Sequence, residues 1–195
     1  MALKVTVFFG SVREGRWGFR AAKYIAQQLR KKDYEVFLYD PEAIPIPLLR
    51  KPFHHYQNPD DAPQYLQDVR KEIISSDAFI VVAAEYNHSM PPALVNAMDH
   101  FHPDDYRHKP CGICTYSYGS FGGVRAGVQL RSFLGELGMI TPSYMFPIPT
   151  ILESFTEDGV PQNEHMIKNT EKLIDEVGWY AQALKNHRES IPPPV

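Results

Sequence analysis

The sequence predicts an α/β domain in which a doubly wound, five-stranded parallel sheet is covered by helices on both faces. Short apolar, β-branched runs without polar alternation are typical of strands buried on both faces. Segments with apolar residues at helical spacing separate these runs, so each helix can cross over between parallel strands. The chain has 195 residues, 44% of them hydrophobic, which suits one domain with a sizeable core. We expect that domain over residues 1–190 and a frayed tail over 191–195.

The first half of the chain predicts two strands, one crossover helix and a proline-rich connection. Residues 3–9 are a continuous apolar run after a charged start, which is typical of the first strand of a parallel sheet. Apolar residues then recur at helical spacing and lead to Lys31 and Lys32, which favour a helix C-terminus. A second strand is predicted over 36–39. Residues 41–63 are too long and too rich in proline for a simple connector.

The second half continues the alternation of helix and strand. Pro91 suits the first turn of a helix, where its missing N–H costs nothing, and Gly138 suits a helix end. We expect the fourth strand to end before a glycine-rich loop and the chain to finish in a long helix. The predicted elements are, in order, a helix over 65–74, a strand over 78–83, a helix over 91–100, a strand over 111–116, a helix over 124–137, a strand over 140–146, an irregular segment over 147–161 and a helix that includes 166–184.

Composition and charge restrict the class of partner. The formal net charge is −3 and the pI is near 6.2, so the sequence offers no basic face for nucleic acid or for a membrane surface. No apolar run approaches the roughly 20 residues that span a bilayer. The first four residues lead into a strand and not into the apolar region of a signal peptide. We therefore expect a cytoplasmic protein whose partners are small molecules or other proteins.

Cys111 and Cys114 form a C-x-x-C pair, for which redox chemistry or zinc binding is the alternative to a packing role. Side chains three apart on a strand point to opposite faces of the sheet, and a zinc site would need two further ligands. We therefore expect buried thiols. The histidines show no HExxH or carboxylate spacing, and we predict no metal site.

Three loops follow the first, third and fourth strands and should open on the same carboxyl edge of the sheet, where such folds bind ligands. The first loop offers Ser11, Arg13 and Arg16 just before a helix that begins near Trp17 and Gly18. A hydroxyl, two guanidinium groups and a helix N-terminus suit a phosphate. The alternative is a solvated turn, because neither a P-loop nor a G-x-G-x-x-G fingerprint is present.

The other two loops supply polar side chains and flexible backbone. The loop after the third strand carries Glu85, Tyr86, Asn87, His88 and Ser89. We expect His88 either to contact a ligand or to be a surface residue without a role in binding. The loop after the fourth strand carries Ser117, Tyr118, Gly119, Gly122 and Gly123. Its glycines would let the backbone approach a flat ligand and present N–H groups, although a plain strand-to-helix turn has the same composition.

These loops resemble those of the NADPH-dependent FMN reductases of the flavodoxin-like superfamily, which include related azoreductases and quinone reductases. The resemblance spans residues 3–146 and rests on three segments, Gly10-Ser11-x-Arg13, Glu85-Tyr86-Asn87-x-Ser89-x-Pro91-x-x-Leu94-x-Asn96-Ala97-x-Asp99 and Ser117-x-Gly119-x-x-Gly122-Gly123-x-Arg125-Ala126. It implies FMN as cofactor and NADPH or NADH as electron donor. It also implies the flavodoxin-like strand order, which periodicity alone does not separate from a Rossmann order.

Carried over to this sequence, the resemblance implies that the FMN phosphate lies at the first loop and the isoalloxazine ring at the other two. The residues implied for the phosphate are Ser11, Arg13, Arg16, Trp17 and Gly18, and those implied for the ring are Glu85, Tyr86, Asn87, Ser117, Gly119 and Gly122. Ala84 stands where the family often has proline, and Arg16-Trp17-Gly18 replaces its common serine or threonine cluster. Because of these departures, the resemblance does not decide which residues after Arg13 bind the phosphate.

The resemblance implies an oxidoreductase that passes hydride from NAD(P)H through FMN to a quinone, an azo compound or a free flavin. No side chain is expected to act as an essential acid or base. Members of the family are usually homodimers or homotetramers, and residues 45–56 would suit a partner wall or a substrate lid. A non-enzymatic FMN electron carrier is one alternative, although the modest charge argues against it. An interaction module of the same fold without a cofactor is the other.

Overall fold

The computed structural model describes residues 2–194 and contains one parallel sheet of five strands. Adjacent strands pair in parallel throughout. The strands are β1 (Lys4–Phe9), β2 (Glu35–Tyr39), β3 (Ala78–Ala84), β4 (Cys111–Tyr116) and β5 (Met145–Ile148). Across the sheet the strands lie in the order β2-β1-β3-β4-β5. This spatial order is that of flavodoxin-like folds, and it confirms the strand order that the resemblance implied.

Helices cover both faces of the sheet, as predicted. The helices are α1 (Gly18–Lys31), α2 (Gln64–Ser75), α3 (Pro92–Asp99), α4 (Pro103–Tyr106), α5 (Val124–Glu136), α6 (Ile151–Ser154) and α7 (Glu164–Ser190). Helices α1 and α7 share one buried apolar cluster with alternate β1 residues such as Val7 and Phe9. Helices α2, α3 and α5 share the other cluster with Phe8. The continuous apolar runs of the sequence are therefore strands that are buried on both sides. Short α4 and α6 lie within segments that the sequence did not predict to be helical.

The fifth strand lies later than predicted. Residues 140–146 were expected to form it, but the strand is Met145–Ile148, and Ile140 makes only an isolated bridge to Pro110. Between these two points the backbone leaves the sheet, because the guanidinium of Arg131 binds the carbonyl oxygens of residues 141–143. The strand contains Pro147, which is tolerated because β5 is the edge of the sheet.

The proline-rich connection after β2 is an ordered surface segment. The Asn96 carboxamide on α3 accepts a hydrogen bond from Leu49 N–H at 2.8 Å and donates to the carbonyl oxygens of Ile46 and Pro47 at 3.2 and 3.0 Å. At the other end of the chain, residues 191–194 follow α7 without regular structure and are exposed, while Val195 of the predicted tail lies outside the described residues. No helix within 2–194 is long and apolar enough to cross a membrane.

The two cysteines belong to opposite faces of the sheet. Cys111 lies in the cluster of α2, α3 and α5, whereas Cys114 lies in that of α1 and α7. Both thiols are free and buried, and burial raises the pKa of each well above its usual value. The prediction of buried thiols on opposite faces is thus confirmed.

We expect both thiols to be inert in the native protein, because the thiolate is the reactive form and burial disfavours it. Titration with Ellman's reagent at pH 8 should detect no fast-reacting thiol until guanidinium chloride unfolds the chain, and both thiols afterwards. A fast-reacting thiol in the native protein would contradict the structure. The unfolded protein serves as the internal control.

Candidate active site

The three predicted loops meet at one cavity at the carboxyl edge of the sheet. The cavity lies between the ends of β1, β3 and β4 and is partly open, so its empty space of about 390 Å³ includes bulk solvent. Its lining contains Ser11, Arg13, Arg16, Trp17, Ala84, Glu85, Tyr86, Tyr116, Ser117, Tyr118 and Ile151. Ala84, Tyr116 and Ile151 were not predicted, since the first two end apolar strands and the third lies in a segment expected to be irregular. The remaining predicted residues, Gly18, Asn87, His88, Ser89, Gly119, Gly122 and Gly123, shape the surrounding loops but do not line the cavity.

A contact between the first two loops closes the floor of the cavity. The Ser11 hydroxyl is buried and forms a 2.6 Å hydrogen bond with the Tyr86 hydroxyl. Ser11 Oγ also accepts a hydrogen bond from Arg13 N–H at 3.3 Å. The exposed Arg13 guanidinium lies 4.0 Å from the centre of the Tyr86 ring. A cation and a hydroxyl therefore flank the same tyrosine.

Arg16 lines the cavity, but its charge is already paired. Its guanidinium forms ion pairs with Asp40 and Glu42, which follow β2, and one of its bonds to Asp40 is 2.9 Å long. Burial lowers the pKa of Arg16, but the two carboxylates raise it more, so the side chain is a permanent cation. Of the two predicted phosphate-binding guanidiniums, only that of Arg13 faces the cavity without a carboxylate partner among residues 2–194.

Helix α1 begins at the cavity, and the N–H groups of Phe19 and Arg20 in its first turn donate to the carbonyl oxygens of Arg16 and Trp17. Its N-cap residue is Trp17, and in the described chain no side chain caps this end and no acidic residue occupies its first turn. Gly18 lets the helix approach β4, since a Cβ atom there would lie 2.1 Å from the ring of Tyr116. Tyr116 is buried and stacks on Phe9. Burial, with a smaller contribution from Tyr86, raises the pKa of Tyr116, which keeps this phenol neutral.

Glu85 connects the second loop to the third and does not point a free carboxylate at a ligand. One carboxylate oxygen accepts hydrogen bonds from the backbone N–H groups of Arg125 and Ala126 at 3.0 and 3.4 Å. The other accepts one from the Arg125 guanidinium at 3.2 Å. The side chain of Glu85 is only 9% exposed. Glu85 thus caps the N-terminus of α5, whose own N-cap residue, Gly123, has no side chain to do so.

Residues 86–89 form a tight turn beyond the end of β3. Tyr86 N–H donates to the Ser89 carbonyl at 3.0 Å, and Ser89 N–H donates back to the Tyr86 carbonyl at 2.9 Å. The two central residues, Asn87 and His88, have left-handed φ angles of 50° and 63° and are exposed. Positive φ at both central positions is the geometry of a type I′ turn. Within 2–194, the backbone N–H groups of these two residues have no hydrogen-bond partner.

The glycines of the third loop serve the packing of the loop itself. Gly122 and Gly123 have φ angles of 62° and 81°. A Cβ atom on Gly122 would lie 3.0 Å from the β5 backbone, and one on Gly123 would lie 2.9 Å from the Tyr116 carbonyl oxygen. These two glycines were predicted to let the backbone approach a flat ligand, but the close approach is to neighbouring strands. Gly119 alone has open space around its Cβ position.

Two exposed aromatic side chains stand at the rim of the cavity. Tyr118 lines it, whereas Phe121 lies under the Arg125 guanidinium at 4.7 Å. Each is 62% exposed.

Elsewhere His54 packs against His55 and His102, but no cluster of three or more His, Cys, Asp or Glu residues in the described part of the chain could hold a metal ion.

Comparison with known proteins places this arrangement in context. Residues 3–152 match the family described as NADPH-dependent FMN reductase. A quinone reductase of Escherichia coli is 30% identical over 149 residues, which cover 73% of this chain and 77% of that protein. A 2-hydroxy-1,4-benzoquinone reductase of a Burkholderia species is 27% identical over 91% of this chain and 85% of the relative. The solved structure of the flavoenzyme FerB, an NAD(P)H:acceptor oxidoreductase from Paracoccus denitrificans, has a TM-score of 0.74 at 24% identity. The match covers 95% of this chain and 99% of that chain.

Proposed function

The chain belongs to the NADPH-dependent FMN reductase family, and from this premise we propose that it is a quinone reductase whose FMN site is the cavity at the carboxyl edge of the sheet. As a member of that family it is an oxidoreductase that uses FMN and NAD(P)H and acts on a small-molecule acceptor. When bound, FMN would supply the two-electron redox chemistry that connects NAD(P)H with the acceptor.

The observation that carries the proposal is the meeting of a helix N-terminus without a side-chain cap, a guanidinium without a carboxylate partner within residues 2–194, and aromatic walls in one cavity. At the start of α1 the Gly18 N–H has no partner within residues 2–194, whereas those of Phe19 and Arg20 already donate to backbone carbonyls. Arg13 supplies a positive charge to the same cavity. Both features suit the phosphate of FMN. Arg16 would help indirectly by holding the first loop against Asp40 and Glu42. The residues present therefore fit the anionic end of the cofactor.

The other end of the cavity suits a flat heterocycle. Tyr86, Tyr116 and Tyr118 supply apolar wall area, and the free N–H groups of Asn87 and His88 belong to the turn that begins at Tyr86. Donors fixed before the reaction stabilise negative charge that develops on a bound ring, because they need no reorganisation. In this proposal the chain binds, orients and polarises, and no side chain acts as an essential acid or base.

Quinones are the acceptor class that the relatives favour, since two of those compared carry that activity in their names. An azoreductase of Staphylococcus aureus is 24% identical over 68% of the chain, which makes azo compounds the second class to assay.

We further propose that the chain forms a homodimer or homotetramer in which a partner covers the exposed Tyr118 and Phe121. Residues 45–56 do not line the cavity of their own chain. In an oligomer they could form one wall of the cavity in a neighbouring subunit. Light scattering of the purified protein would test this.

We also propose that residues 2–190 are a single FMN-binding domain, because both apolar clusters pack on one sheet. A cytoplasmic location is proposed because it would give access to NAD(P)H.

The test is the visible spectrum of protein that is incubated with excess FMN, desalted, mixed anaerobically with NADPH and then with 1,4-benzoquinone. We expect a retained flavin band that bleaches with NADPH and returns with the quinone. A retained band that NADPH does not bleach would favour an electron carrier, and no retained band would reject the FMN site.

Arg13→Ala should weaken FMN binding about tenfold, since one charge-assisted contact to a phosphate is lost. Fluorescence titration of FMN measures this. Lys31→Ala, at the far end of α1 where the chain is exposed, is the matched control and should bind FMN like the wild type. Equal affinities of the wild type and Arg13→Ala would remove Arg13 from the phosphate site.

A further inference from the structure

The turn at residues 86–89 is held in place by a side chain from another helix. The Gln129 side chain on α5 accepts a hydrogen bond from the Ser89 hydroxyl at 2.8 Å. The same carboxamide donates to the His88 carbonyl oxygen at 2.8 Å. These two bonds span 40 and 41 residues of sequence, and both end on the turn that carries the free N–H groups of Asn87 and His88.

The turn needs this support because its sequence does not suit its geometry. A type I′ turn favours Asn followed by Gly, since both central residues take positive φ. Asn87 suits the first position, but His88 occupies the second at φ 63°. A non-glycine residue in the left-handed region is unfavourable and persists where its surroundings hold it. The two hydrogen bonds from Gln129 hold the turn in this conformation.

We propose that Gln129 is a positioning residue for the cofactor site, which fixes the Asn87–His88 turn directly after Tyr86, a residue that lines the cavity. This inference rests on the proposed FMN site and deepens it. Glu85 fixes the start of α5 to the second loop, and Gln129 fixes the next turn of the helix to the same loop. Helix α5 thereby sets the position of the backbone donors without contacting the cofactor itself.

The test is a double-mutant cycle on FMN affinity, measured by fluorescence titration of wild type, Gln129→Ala, His88→Gly and the double variant. We expect Gln129→Ala to weaken FMN binding about tenfold in the wild-type background, in keeping with two lost hydrogen bonds. Glycine adopts positive φ without cost, so the turn should form unaided in the His88→Gly background. There the same change should weaken binding less than threefold. Ser132→Ala, an exposed substitution one turn further along α5, is the control and should have no effect.

Amide hydrogen exchange of the cofactor-free protein gives a second readout that does not depend on activity. In Gln129→Ala, the amides of Tyr86 and Ser89 should exchange faster than in the wild type, and His88→Gly should restore their protection. Equal loss of FMN affinity in both backgrounds, or no loss in either, would overturn the proposal. If the wild type itself binds no FMN, the proposed function fails instead, and the exchange experiment still decides whether Gln129 holds the turn.

Discussion

Gly18→Ala is expected to destabilise the protein by about 3 kcal/mol, although alanine is normally the better helix former. The added Cβ would lie 2.1 Å from the ring of Tyr116, a distance at which one of the two must move. Tyr116 is 7% exposed and stacks on Phe9, so a shift of its ring would disrupt that packing. Helix α1 would therefore shift away from β4 and carry the proposed phosphate site with it. Thermal denaturation should show a Tm lower by roughly 6–12 °C, and FMN affinity should fall more than tenfold.

The control for this prediction is Gly135→Ala near the end of α5, where an added Cβ meets no other atom. That variant should be as stable as the wild type or slightly more stable, because alanine favours the helix and nothing obstructs it. The Tyr116→Leu background provides a second check. There the ring is gone, so Gly18→Ala should cost much less than in the wild type. An equal cost in both backgrounds would show that the packing of Tyr116 does not account for Gly18.

The sequence was a good guide to strands β1 to β4 and a poor one to the edge strand β5. Strands β1, β3 and β4 are buried on both faces, and this produces the continuous apolar runs by which they were predicted. Edge strand β5 pairs on one side only and contains Pro147, which weakens its strand pattern, and the strand was predicted over 140–146. Its true start depends on the side chain of Arg131, which lies on another element.

At the candidate site, the sequence predicted the place of the cavity but not the role of each residue in it. That three loops converge followed from the topology of a parallel sheet, and the cavity at its carboxyl edge agrees with this. What each residue does there could not be predicted, because it depends on partners distant in sequence. Glu85 meets the backbone of Arg125, and Gly122 meets the backbone of β5. A local pattern identifies the residue types that bind a ligand, but the same types also bind one another.

Glu85→Ala should lower the free energy of unfolding by about 2–3 kcal/mol and weaken FMN binding in the same variant. Removal of the carboxylate leaves the N-terminus of α5 uncapped and two backbone N–H groups without their acceptor. The ion pair with Arg125 adds less, since the Arg125 side chain is 40% exposed and water screens it. Glu85→Gln retains an acceptor oxygen but loses the charge, so it should cost about 1 kcal/mol. Urea denaturation measures both values.

Glu164→Ala is the matched control, because Glu164 pairs with Lys168 across one helical turn where both side chains are largely exposed. Its Tm should equal that of the wild type within error. If Glu85→Ala were as harmless as this control, the cap would be dispensable and the second and third loops would be positioned by other contacts. If Glu85→Ala abolished FMN binding with no loss of stability, the carboxylate would act on the cofactor directly. Stability and affinity that fall together would show that the start of α5 is the common support of the fold and of the site.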